Sequence, residues 1–116
     1  MNKRERGRLG EDQAVDYLQK KGYRILKRNF RFERGEIDIV AEDGDTLVFV
    51  EVKARRTKSF GEPEDAVTVF KRKQLRKIAE GYLFRNNIDG KACRFDVIAI
   101  QYVGKDAIVR HLVNAF

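Results

Sequence analysis

The sequence predicts a mixed α/β domain, a five-stranded sheet flanked by helices in the order α-β-β-β-α-β-β. Three observations carry that prediction. Residues 46–54 place apolar side chains on both faces, the mark of a central strand covered on both sides. Asp43-Gly44-Asp45 is a tight-turn signal between two strand-like runs. Two segments, one near the start and one in the middle, show helical spacing of apolar residues. At 116 residues one domain is expected.

The first helix is predicted over 8–21. Leu9, Ala14, Tyr17 and Leu18 lie near one side, and Gly22 stops it. Residues 23–32 form an aromatic and aliphatic strand, broken at Arg34-Gly35. A second strand over 36–42 alternates, with Glu36, Asp38 and Val40 on one face and Ile37, Ile39 and Ala41 on the other. The third strand, 46–54, turns Leu47, Phe49, Glu51 and Lys53 one way and Val48, Val50, Val52 and Ala54 the other. A loop over 55–64 holds Arg55, Arg56 and Lys58 and the single proline, Pro63. A second helix over 68–84 buries Leu75, Ile78, Ala79, Tyr82 and Leu83. Strands over 92–102 and 107–116, joined at Gly104-Lys105-Asp106, complete the chain.

Charge narrows the function classes. Charged residues make up 37% of the chain, against ~25% in an average domain. Lys plus Arg number 25 and Asp plus Glu 18, a formal charge of +7. Such a balance suits a polyanionic partner, with solubility as the plainer explanation. Cys93 alone makes no internal disulfide and no thiolate zinc cage, and His111 alone argues against a His-rich metal site. No apolar run reaches the ~18–20 residues of a membrane span. The first ten residues are polar and basic, without a signal-peptide apolar region, so a cytoplasmic location and no membrane partner are expected. Catalysis would rest on carboxylates, Lys, Arg or Tyr.

The anomaly lies in the predicted hairpin. Asp38 and Glu51 interrupt its apolar strands, and like charges side by side in a sheet are destabilising. A hard divalent cation, Mg²⁺ or Mn²⁺, removes that conflict. Lys53 follows Glu51 by two residues, on the same face and about 6–7 Å further along. Two carboxylates, a metal and an amine suffice for phosphodiester hydrolysis. The plainer alternative is a Glu51–Lys53 ion pair on an edge, with Asp38 at a solvated strand end.

Gly35-Glu36-Ile37-Asp38 followed by Val50-Glu51-Val52-Lys53 resembles the D…E-x-K signature of the PD-(D/E)XK nuclease superfamily. A wider run, from Gly7-Arg8-Leu9-Gly10-Glu11 through that hairpin to Arg94-Phe95-Asp96-Val97, resembles the YraN-like family of small bacterial proteins, relatives of the archaeal Holliday junction resolvases. The resemblance covers nearly the whole chain. It implies a restriction-endonuclease-like fold and metal ligation by Asp38 and Glu51, with the Val52 carbonyl as third ligand. It implies Lys53 as catalytic lysine and Glu11 as an acid approaching the same site. The substrate it implies is nucleic acid, DNA before RNA, with branched or structured DNA as a candidate and a homodimer as a candidate assembly. A binder that keeps the fold without turnover, and an adaptor whose basic face meets an acidic protein, remain the alternatives.

The remaining features have readings of both kinds. Arg72, Lys73, Arg76 and Lys77, on the helix face away from Leu75 and Ile78, could track a phosphate backbone with Arg55, Arg56 and Lys58, or form a solvated face. Glu36 either holds a basic side chain or a metal-bound water, or lies exposed. Phe30, Phe32 and Tyr82 read as core before base-stacking groups. Asp96 reads as structural, orienting Arg94 or a lysine, and Cys93 and His111 as packing residues.

Overall fold

The computed structural model describes residues 2–56 and 67–116. Its elements are α1 (Lys3–Lys20), β1 (Arg24–Phe32), β2 (Gly35–Asp43), β3 (Thr46–Arg55), α2 (Val69–Arg85), β4 (Cys93–Val103) and β5 (Asp106–Leu112). The order agrees with the sequence expectation. All five strands lie in one sheet in chain order, which puts β3 at the centre. The β3–β4 pair is parallel, with α2 in the crossover, and the other pairs are antiparallel.

The helices cover opposite faces. Against α2 pack Phe30, Ile37, Val40, Leu47, Phe49 and Val97, meeting Leu75, Ile78 and Tyr82 of the helix. Against α1 pack Ile39, Ala41, Val48, Val50, Ile98 and Ile100, meeting Ala14 and Leu18. Four successive residues of β3, Leu47 to Val50, are therefore fully buried, two on each side. Such burial explains why the strand is apolar throughout.

Two boundaries and one buried position differ from the sequence expectation. Helix α1 begins at Lys3 rather than near Arg8, because Asn2 caps it: its side chain accepts the Glu5 N–H at 2.8 Å and donates to Glu5 Oε1 at 2.8 Å. Leu9 is exposed and Gly10 takes the buried position. A Cβ on Gly10 would lie 2.7 Å from the Ala54 Cβ, so glycine is what lets α1 settle onto β3. Strand β5 ends at Leu112 rather than running to Phe116. Asn114 adopts a left-handed backbone (φ 55°), Ala115 N–H donates to the Phe95 carbonyl at 2.7 Å, and Phe116 stacks on Phe95.

Candidate metal and nucleic-acid site

The β2–β3 hairpin runs regularly from Asp43–Thr46 to Ile39–Val50, and its pairing ends there. The next residue, Asp38, turns its carboxylate to the neighbouring strand: Oδ2 accepts the Val52 backbone N–H at 2.8 Å. A side chain thus takes a place that a strand carbonyl would fill. The predicted alternation of β2 breaks at this point. Ile37 joins the core under α2 together with Val40, while Ile39 and Ala41 join the core under α1. On the β1 side, Asn29 sits between the Arg28–Ile39 and Phe30–Ile37 pairs with φ 52°. Asn readily adopts this left-handed backbone, and the distortion opens the sheet beside Asp38.

Strand β3 keeps the expected alternation. Val52 follows Val48 and Val50 toward α1, whereas Glu51 faces α2, where Lys71 Nζ stands 3.8 Å from its Oε2. Glu51 is only 8% exposed. Among the described residues no hydrogen-bond donor reaches the buried Oε2.

Asp38 and Glu51 stand close enough across the strands for each to feel the other's charge. Burial first, then the hydrogen bond and negative charge of Glu51, push Asp38 up to about 8; the Val52 N–H opposes the rise. A half-buried Asp38 beside a buried Glu51 concentrates negative charge at the end of the hairpin ladder.

A cleft of about 710 Å³ opens on Asp38. Glu11, Asp38, Val52 and Lys53 line it, so four of the residues singled out from sequence share one cavity. Glu51 does not line it; its side chain faces α2 and Lys71 instead. Glu11 is held by Arg28 Nε at 3.0 Å and Asn29 Nδ2 at 2.8 Å, and the same Asn29 amide donates to Glu36 at 2.8 Å. Glu36 thus holds a polar neighbour, and Arg31 lies 3.5 Å from it.

Sequence reasoning missed the opposite wall. Lys3, Arg4, Arg6 and Arg8, on the first turns of α1, line the cleft. Their signal is the run Lys3-Arg4-Glu5-Arg6-Gly7-Arg8, which lacks apolar residues and so escapes a search for helical periodicity. The Asn2-x-x-Glu5 cap would have found it.

The other predicted cations lie elsewhere. None of Arg72, Lys73, Arg76 and Lys77 lines the cleft. Instead of one solvated row, Arg72 and Arg76 each stand 5.6 Å over the Phe116 ring, and Lys77 pairs with Glu33 at 3.2 Å. Lys73 is exposed. Arg55 is half-buried at the end of β3, Arg56 is exposed just after it, and Lys58 lies outside the described residues.

Far from the cleft, Asp96 is fully buried. It takes His111 Nε2 at 2.7 Å, Arg94 Nε at 3.0 Å and the Asn114 N–H at 3.0 Å. Burial works against its ionisation, but these bonds outweigh it and hold its pKa low. Asp96 does orient Arg94, and His111 is its second partner, a contact across β4 and β5 that sequence spacing does not reveal.

Among the described residues no group of three or more His, Cys, Asp or Glu side chains is placed to hold a metal. The residues that could hold a metal are the carboxylates of Asp38 and Glu51 and the carbonyl of Val52, next to Glu51 in the chain. Such a sparse oxygen set suits Mg²⁺ or Mn²⁺, which keep several waters or phosphate oxygens. The buried Oε2 of Glu51, which has no hydrogen-bond donor among the described residues, is the observation that fits a cation there.

Relatives share this chain end to end. A UPF0102 protein of Caldicellulosiruptor saccharolyticus is 45% identical over the full length of both chains. One from Geobacter sulfurreducens is 52% identical, covering 95% of this chain and 87% of the relative. One from Clostridioides difficile is 43% identical over the full length of both. The profile described as "Uncharacterised protein family UPF0102" matches residues 10–100, from the buried glycine of α1 to the middle of β4. The YraN-like resemblance drawn from the motifs agrees with this match, and the chain belongs to the UPF0102 family.

Proposed function

We propose that this chain is a metal-dependent endonuclease of the PD-(D/E)XK, restriction-endonuclease-like kind, hydrolysing phosphodiester bonds in DNA, with branched or structured DNA as its favoured substrate. The observation that carries the reading is the juxtaposition of Asp38, which lines a cleft with basic residues along its wall, and the buried Glu51, whose Oε2 has no hydrogen-bond donor among the described residues. Asp38, Glu51 and the Val52 carbonyl would hold Mg²⁺ or Mn²⁺. Such an ion supplies an activated water and a polarised phosphate.

The chain's own residues do the rest. Lys53, at the cleft, offers an ammonium to the attacked phosphate and to the charge that develops on it. Glu11, fixed by Arg28 and Asn29, adds negative charge at the rim and orients cationic or metal-bound groups. Lys3, Arg4, Arg6 and Arg8 contact the phosphate backbone and set its path over the floor. Two cuts across a branched substrate would be served by a homodimer.

Incubation of the purified protein with branched and linear DNA in Mn²⁺ or Mg²⁺ tests this reading. Cleavage that disappears in Asp38→Ala, Glu51→Ala and Lys53→Ala is expected. DNA binding without cleavage in either metal supports a non-catalytic binder instead, and absence of any affinity at low salt supports a protein-binding adaptor.

A further inference from the structure

Helix α2 starts in a way that helix stability does not explain. The first turn of a helix carries partial positive charge, so acids are favoured there and cations are not. Helix α2 has no acid in its first turn. It has Lys71 instead, whose backbone N–H donates to the capping Thr68 hydroxyl at 3.1 Å. The cap fixes where the lysine leaves the helix, and its ammonium ends 3.8 Å from Glu51 Oε2.

That oxygen is the one that lacks a hydrogen-bond donor. The 3.8 Å separation is an ion pair and too long for a hydrogen bond. The two partners are unequal: the Glu51 side chain is 9% exposed and that of Lys71 is 36% exposed. Glu51 is fixed in the sheet, while the lysine can swing to solvent. Sequence spacing points to Arg72 and Lys73 on this helix and gives Lys71 no role.

We propose that Lys71 is a positioning residue which supplies the counter-charge of Glu51 while the site holds no metal, and which a divalent cation displaces when it binds. This rests on the metal-site reading above. An ion ligated by Glu51 would stand close to the ammonium, and like charges at such separations repel strongly in a partly buried site. Binding therefore includes the outward movement of Lys71. The exchange keeps Glu51 paired in both states and avoids leaving a lone buried carboxylate.

Calorimetric titration of Mn²⁺ into the full chain tests the exchange through binding alone. The variants are Lys71→Met, Lys71→Arg and, as a control for net charge, Lys105→Met in the β4–β5 turn. Removal of the competing ammonium should tighten Mn²⁺ binding by roughly five-fold or more in Lys71→Met. Lys71→Arg and Lys105→Met should stay close to the wild type. Thermal melting in chelator and in Mn²⁺ supplies the second reading, because Mn²⁺ should raise the melting temperature of Lys71→Met by more than that of the wild type. Mn²⁺ affinity in Lys71→Met equal to or weaker than the wild type overturns the exchange while leaving the metal site standing. Absence of Mn²⁺ binding in every form overturns the metal site itself, and the exchange with it.

Discussion

The carboxylate of Asp38 accepts the backbone N–H of Val52 at 2.8 Å, across the strand boundary where the β2–β3 ladder stops. This one bond joins the fold to the proposed chemistry. It directs an acid toward the strand that carries Glu51 and Lys53, just beyond the last backbone pair of the hairpin.

The raised pKa of Asp38 makes metal-free stability depend on pH. Asp38 is raised from 3.8 to about 8 in the folded chain. Between those values the folded state holds a proton that the unfolded chain does not, so stability falls as pH rises, and the loss is complete above about 8. Asp38→Asn keeps an acceptor for Val52 and removes the charge conflict. In chelator at pH 9 it should be more stable than the wild type by about 1–3 kcal/mol, and the advantage should shrink toward pH 5. Denaturant melts at the two pH values check both the sign and the slope.

Close packing of α1 on β3 gives a second prediction. Gly10→Val should destabilise the protein by about 1–3 kcal/mol, because a Cβ there meets Ala54. Combination with Ala54→Gly should recover part of that loss. Equal melting temperatures for Gly10→Val and wild type would contradict the observed approach of the helix.

Cations that line the cleft should count for more in DNA binding than those on α2. Replacing Lys3, Arg4, Arg6 and Arg8 together by Gln should reduce the slope of log affinity against log salt by about 2–3, since each phosphate contact contributes ~0.9 on duplex DNA. Replacing Lys73 and Lys77 should change the slope by less than about 1. Fluorescence anisotropy over a salt series measures both, and equal slopes for wild type and the quadruple variant would argue for a different path.

In β4, Asp96 depends on Arg94 and His111 as hydrogen-bond partners. His111→Ala leaves its buried carboxylate with a missing partner and should cost about 2–4 kcal/mol. Asp96 has a lowered pKa, so its share of stability is present above its unfolded value and is lost as pH falls through the folded one. The variant should lose stability at neutral pH while DNA cleavage per folded molecule is retained, as parallel melting and activity assays would show.

Most of the architecture is legible in the sequence because burial leaves a periodic record. Leu47 to Val50 are apolar on both faces since both faces are covered, and Leu75, Ile78, Ala79 and Tyr82 repeat because one side of α2 meets the sheet. The candidate site is legible only as far as its residues break such patterns. Asp38 and Glu51 stand out as acids in apolar strands, but alternation alone sends Ile37 and Ile39 to the same face. Their separation depends on a left-handed Asn29 and on a carboxylate replacing a backbone partner. The start of α1 is hidden because charged residues carry no hydrophobic rhythm. Lys71 is hidden because its partner is twenty positions away and reached only through the β3–α2–β4 crossover. The end of β5 misleads because Val113 and Phe116 look like strand residues, whereas Asn114 turns the chain back over Phe95.

Diffraction from crystals grown with Mn²⁺, recorded for anomalous signal, tests the carboxylate pair most directly. An anomalous peak bound by both Asp38 and Glu51, absent from crystals of Asp38→Ala, is the predicted result. Well-ordered, unliganded carboxylates at saturating Mn²⁺, with no peak between them, would contradict it.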